Sequence, residues 1–204
     1  MSNRIKIALI GEAGVGKTNL IQISIGKEFE HNSESSSTCS YVEKEHMYND
    51  KKYIFDLWDT AGQEVYRSLN KLFVKNSKIV IIVFAINVKN SFNQIDFWYN
   101  YIKEVLGEDD YIIALVGNKA DLYEEQEISD EDIEKKAKEL NIKYKITSAI
   151  KDADGFKEFL AELMNDYIQK YNPAPGGNVN SFKIEGDKDK KKKKKGCCSI
   201  IHIS

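Results

Sequence analysis

One stretch of eight residues constrains this chain more than any other: Gly11-Glu12-Ala13-Gly14-Val15-Gly16-Lys17-Thr18. It fits the pattern G-x-x-x-x-G-K-[ST] in full. An apolar run, Ile5 to Ile10, precedes it and reads as a buried strand. A stretch from about Thr18 to Lys27 follows and reads as a helix. Strand, glycine-rich loop and helix N-terminus form the context that such a loop needs. The glycines allow the backbone to turn sharply and approach a polyphosphate closely. Successive N–H groups then form a nest for anions, and the helix end adds partial positive charge. Lys17 is expected to reach the β- and γ-phosphates, and the Thr18 hydroxyl to ligate Mg²⁺. The loop alone does not say which base is bound.

The remaining apolar pattern sets the fold class. Tyr41–Tyr48 and Lys52–Trp58 flank Asn49-Asp50, a turn signal, and read as a hairpin. Lys78–Ile86, Tyr111–Val116 and Lys143–Thr147 read as further strands, the first of them central. Helices are expected at about Glu64–Val74, at Ser91–Leu106 with Ser91 as a cap, from Ser129-Asp130 to Leu140, and at Ala153–Tyr171. Strands alternating with helices predict an α/β fold: three layers, a six-stranded mostly parallel sheet, helices on both faces. Ligands of such sheets sit beyond the carboxyl ends of the strands. The loops 11–18, 59–63, 118–121 and 147–149 all fall there.

Two of those loops carry chemistry of their own. Asp59-Thr60-Ala61-Gly62-Gln63 places a carboxylate for Mg²⁺ at a strand end. In it Gly62 can offer an N–H to a γ-phosphate, and Gln63 can orient an attacking water. Asn118-Lys119-Ala120-Asp121 ends another strand with N-K-x-D. A carboxylate can accept from both N1–H and the N2 amino group of guanine. Adenine lacks that pair of donors, which argues against an ATP-using enzyme.

Composition bounds the rest. A length of 204 residues suits one well-buried domain and a tail. The net charge of −2 gives no general affinity for nucleic acid. Three cysteines, Cys39, Cys197 and Cys198, cannot build a disulfide framework and suggest a reducing compartment. No apolar run approaches a membrane span, and the N-terminus shows no signal-peptide pattern, so the cytosol is the expected compartment. The domain boundary is expected at 172/173, where Pro173-Ala174-Pro175-Gly176-Gly177 opens a flexible tail. That tail carries six successive lysines, Lys190–Lys195, and then Cys197-Cys198. Lysines near an anionic surface and lipidated cysteines together would supply the two signals that stable anchoring needs.

The motifs GEAGVGKT (11–18), WDTAGQE (58–64), NKAD (118–121) and TSA (147–149) occur in the order found in small GTPases. The chain resembles the Ras superfamily over about residues 5–171, and within it the Rab branch most closely. WDTAGQE, Tyr66-Arg67-Ser68-Leu69 and the paired cysteines carry the Rab likeness. The resemblance implies GTP/GDP as ligand, Mg²⁺ as cofactor, slow GTP hydrolysis and a role in vesicle traffic.

It also implies site roles. Nucleotide contacts would come from Glu12, Ala13, Gly14, Val15, Gly16, Lys17, Thr18, Asn19, Phe29, Ser36, Gly62, Asn118, Lys119, Asp121, Leu122, Thr147, Ser148 and Ala149. Thr18, Ser36 and Asp59 would bind the metal, Gln63 would act on the hydrolytic water, and Cys197 and Cys198 would be prenylated. Phe29 would pack across the guanine, and the Ala149 N–H would face O6. Exchange factor, activating protein and effectors would bind through 29–41 and 59–75, and a membrane through the tail. The implied location is the cytoplasmic face of an intracellular membrane, with cycling through the cytosol. Three departures stand out. Serine at 36 replaces the usual switch threonine, with Thr38 two residues on; the Ile-Gly that normally follows is missing; and Ile150 replaces the usual lysine after TSA.

Overall fold

The computed structural model describes residues 4–27, 40–59 and 70–171. Six strands form one sheet: β1 (Arg4–Ile10), β2 (Ser40–Tyr48), β3 (Lys51–Asp59), β4 (Ile79–Ala85), β5 (Ile112–Asn118) and β6 (Lys143–Ile146). Their order is β2-β3-β1-β4-β5-β6. Only the β2–β3 hairpin is antiparallel; the other neighbours run parallel. Asn49 and Asp50 have φ of 48° and 59°, the left-handed pair that a two-residue turn requires between twisted strands.

Strand β4 explains why its sequence is uniformly apolar. All seven residues are buried, and they divide alternately between two cores. Ile79, Ile81, Val83 and Ala85 face one core with α1 (Lys17–Ser24) and α6 (Ala153–Tyr171). Val80, Ile82 and Phe84 face the other. That second core holds Val74 of α2 (Asn70–Val74), Ile95, Trp98, Ile102 and Leu106 of α4 (Ile95–Leu106), and Ile133 and Ala137 of α5 (Asp130–Leu140). Helices therefore cover both faces, as the alternating pattern predicts. β3 alternates instead: Tyr53, Phe55 and Leu57 are buried and the residues between them are half-buried. Its second face is only partly covered.

Three local expectations are corrected. The first helix stops at Ser24 rather than near Lys27, because Gly26 adopts φ 82° and the Gly26 and Lys27 N–H groups close back on Ile23 and Gln22. The helix expected at 91–106 begins earlier and is two helices, α3 (Lys89–Asn93) and α4, joined at Gln94. Ser91 does not cap it. Its buried hydroxyl donates to the Val88 carbonyl at 2.6 Å and accepts from the Ala85 N–H at 3.1 Å, tying α3 to the end of β4. Of the helix expected at 64–74, residues 70–74 are helical and 64–69 lie outside the described residues. The start near Ser129 holds, since Ser129 Oγ accepts from the Asp132 N–H at 3.1 Å.

Candidate functional site

Beyond the carboxyl ends of β1, β5 and β6 the predicted loops 11–18, 118–121 and 147–149 converge, and of 59–63 Asp59 alone lies in the described residues. At Gly11 φ is 146°, and a Cβ there would lie 2.0 Å from the Val83 carbonyl oxygen. Only glycine lets the chain leave β1 across β4. Gly16 has φ 96° and caps α1 without a side chain. The helix therefore opens without a side-chain cap at its N-cap residue, and its first-turn N–H groups suit an anion. Lys17, 3% exposed, arches back over the loop. Its Nζ donates to the carbonyls of Gly11 at 3.1 Å and Glu12 at 2.9 Å. Ala13 and Gly14 are exposed on the loop's outer side, and Val15 is buried beneath it.

Asn118, 1% exposed at the end of β5, joins three loops. Its Nδ2 donates to the Val15 carbonyl at 2.8 Å, and its Oδ1 accepts from the Ala149 N–H at 3.1 Å. A Cβ on Gly16 would sit 2.3 Å from that Nδ2, so the glycine also makes room for the brace. Lys119 takes a left-handed conformation, φ 67°, and starts a 3-10 turn over Ala120–Glu125. That turn had no helical period to reveal it. The Ala120 N–H donates to the Thr147 carbonyl at 3.1 Å, so the two base-side loops are stitched together.

Ser148 organises the carboxylate expected to read the base. Its hydroxyl donates to Asp121 Oδ1 and accepts from the N–H groups of Ile150 at 3.1 Å and Lys151 at 3.0 Å. Thr147 is held one step further out, its Oγ1 donating to the Asp152 carbonyl at 2.9 Å. Asp152 was missed in the sequence. Its carboxylate accepts from the Gly155 N–H at 3.1 Å at the start of α6, and an Asp just before a helical period is the signal that could have found it. Gly16, Asn19, Asn118, Lys119, Asp121, Leu122, Ala149 and Ile150 line a cavity of about 240 Å³. That is smaller than a drug-sized pocket and suits one base rather than a whole nucleotide. Ile150, 46% exposed, forms its rim in place of a lysine.

On the other side of the loop, Asp59 ends β3 and is 4% exposed. It pairs in register with Leu9 of β1 and Ser40 of β2, which sets it beside the point where the glycine loop begins. Thr18 lies in the first turn of α1, half-buried. A hydroxyl and a carboxylate are hard oxygen donors and fit Mg²⁺, which takes one or two protein ligands and the rest from phosphates and water. Among the described residues no group of three or more His, Cys, Asp or Glu could hold a metal by itself. Phe29, Ser36, Thr38, Gly62, Gln63, Cys197 and Cys198 lie outside the described residues. A cleft of about 610 Å³ opens beside the starts of β5 and β6, away from these motifs.

A mostly parallel sheet with a glycine-rich loop after its first strand, a small cavity beside that loop and a buried carboxylate at a neighbouring strand end defines a P-loop nucleotide-binding fold. The model of the Ras family matches residues 6–169, and the chain belongs to that family. It is accordingly a small GTPase domain, GTP-binding and built as a switch.

Proposed function

We propose that this protein is a Rab-like switch that binds GTP and Mg²⁺, hydrolyses GTP slowly and controls vesicle traffic at an intracellular membrane. The observation that carries the reading is the run Trp58–Glu64 followed by Tyr66-Arg67-Ser68-Leu69, together with paired cysteines at 197–198. The residue roles are those that the family motifs imply. Lys17 and the loop amides bind the β- and γ-phosphates, Asp121 reads N1–H and N2 of guanine, and Lys119 lies along the base. Thr18 and Asp59 would hold the metal with a switch hydroxyl from Ser36 or Thr38. Magnesium, when bound, would supply neutralisation of phosphate charge. Gln63 orients water for in-line attack, and Gly62 senses the γ-phosphate. No arginine finger is marked within the chain, so an activating protein would supply one in trans.

In this reading 29–41 and 59–75 change affinity for exchange factor, activating protein and effectors with the nucleotide state. Residues 173–204 form a tail whose lysines and prenylated cysteines hold the domain at the cytoplasmic leaflet. Single-turnover GTP hydrolysis, with and without an activating protein, tests the switch. A slow intrinsic rate with strong stimulation is expected. Fluorescent fusions lacking 197–204 test the membrane part and should become diffuse; unchanged membrane staining would refute it.

A second reading is favoured by one observation, the serine-rich stretch Ser33–Ser37 without the usual Ile-Gly after the switch hydroxyl. A nucleotide-dependent scaffold with negligible turnover would show no cleavage in either arm of the hydrolysis assay.

A further inference from the structure

We propose that Lys6 is a positioning residue for the second partner stretch: its one ammonium group anchors both ends of residues 58–75. The need for an anchor comes from the C-terminal end of α2. The last four carbonyls of a helix have no partner within it, and each needs a donor. The Lys71 carbonyl accepts from the Lys75 N–H at 3.0 Å, and the Val74 carbonyl from the Ser77 N–H at 3.0 Å. The buried Ser77 hydroxyl serves the Phe73 carbonyl at 3.3 Å. The carbonyls of Leu72 and Lys75 accept from Lys6 Nζ, at 3.3 and 3.1 Å. Lys6 and Ser77 thus complete what the backbone cannot supply, and positive charge at a helix C-terminus is favourable in itself.

The same ammonium stands 4.4 Å from the centroid of the Trp58 ring. The β1–β3 register, Lys6 opposite Asp56 and Ala8 opposite Trp58, puts both side chains on one face of the sheet. Trp58 is stacked in turn on Tyr41 of β2, ring centroids 5.2 Å apart and 20° from parallel. Trp58 immediately precedes Asp59, and α2 closes the stretch that begins there. One side chain on the first strand therefore grips the residue before the carboxylate and the helix after it. A compact cation with three donors can serve two carbonyls and a ring face together. Methionine fills the same volume but offers neither donor nor charge.

The consequence for hydrolysis rests on the reading of 59–75 as a nucleotide-sensing stretch; the anchor itself does not. The test compares Lys6→Met and Lys6→Arg in the full chain by three measurements. Hydrogen exchange at the Lys75 and Ser77 amides should quicken on the order of tenfold in Lys6→Met, the worth of losing charge-assisted capping bonds, and recover in Lys6→Arg. The second measurement uses a Trp98→Phe background, which leaves Trp58 as the fluorophore. There the emission should shift in Lys6→Met and return in Lys6→Arg. Single-turnover GTP hydrolysis should fall roughly fivefold in Lys6→Met with GDP affinity unchanged, the mark of positioning rather than binding.

Unchanged amide exchange would overturn the anchor. Faster exchange with unaltered hydrolysis would reduce Lys6 to a structural cap and overturn positioning. Loss of GDP affinity in step with hydrolysis would mean general damage and overturn it too. If the wild type neither hydrolyses GTP nor alters Trp58 emission with nucleotide, the switch reading falls and takes the positioning role with it. The amide exchange then still decides the anchor alone.

Discussion

The two ends of the nucleotide site are built differently. At the base end, hydrogen bonds close on themselves. Asn118 ties Val15 to Ala149, Ser148 holds Asp121, and the Ala120 N–H is fixed to Thr147. Each of these groups sits at a strand end or in a turn pinned to one. At the metal end of the proposed site, the described residues offer a hydroxyl and a carboxylate, Thr18 and Asp59, and on that proposal the remaining ligands come from phosphate, water and a switch hydroxyl. The difference has a physical meaning. A pre-formed base slot binds GDP and GTP alike and contributes affinity without discriminating state. A metal end completed by the ligand can differ between the two nucleotides, and only such differential contact shifts a conformational equilibrium. On the proposed reading, identity is read at one end and state at the other.

Substitution of Asn118 should break this division most severely. Asn118→Ala leaves the Val15 carbonyl and the Ala149 N–H buried without their partner. Each such loss costs about 1–3 kcal/mol, so affinity for GDP and GTP should fall together by roughly a hundredfold or more. The melting temperature should fall as well, because the brace links two loops packed on one core and does not serve the ligand alone. Isothermal titration and thermal melts measure both. A selective loss of GTP would mean that the brace belongs to state discrimination after all.

Asp121→Ala comes next and sharpens the contrast. It removes the acceptor proposed for two guanine donors and, of the bonds described, takes away that from Ser148. GDP and GTP affinities should drop by about the same factor, on the order of a hundredfold, with the GTP:GDP ratio unchanged. Thr18→Ala should do the reverse. The loss should be smaller, about tenfold, and should appear only with magnesium present, since one of several metal ligands is removed. Nucleotide release measured with and without a chelator decides this. An effect that survives the chelator would place Thr18 in phosphate binding alone.

How much of this was legible in the chain depended on whether the cause was local. The glycine loop could be read because its spacing is its mechanism: Gly11 and Gly16 stand where any side chain would strike Val83 or Asn118. β4 could be read because burial on both faces demands a continuous apolar run. The break at Gln94 and the tether made by Ser91 could not, since a helical period of apolar residues runs straight through them. The contacts that matter most join distant positions. Asn118 reaches a carbonyl 103 residues away and Lys6 one 66 residues away. Neither contact leaves a periodic trace: the N-K-x-D motif marks Asn118 but not its partners, and Lys6 looks like an ordinary polar residue until the sheet sets β1 beside β3 and β4.

The smallest effect is the finest test of the base end. Ser148 does not need to touch the nucleotide to influence it; its hydroxyl orients the carboxylate proposed to read the base. In Ser148→Ala that bond is lost, and the N–H groups of Ile150 and Lys151 lose their acceptor at the rim of the slot. Ile150 is already exposed there, so water can take over both N–H groups and the fold should scarcely notice. The cost falls on the orientation of Asp121 and should be about 1 kcal/mol, roughly fivefold in GDP affinity. Inosine diphosphate lacks the N2 amino group and engages the carboxylate through N1–H alone. A loosened carboxylate gives up the second bond first, so the preference for GDP over inosine diphosphate should narrow in Ser148→Ala. Competition titrations with the two nucleotides measure it. A preference as wide as in the wild type would mean that β5 and the 3-10 turn hold Asp121 without help, and that the hydroxyl serves only its own loop.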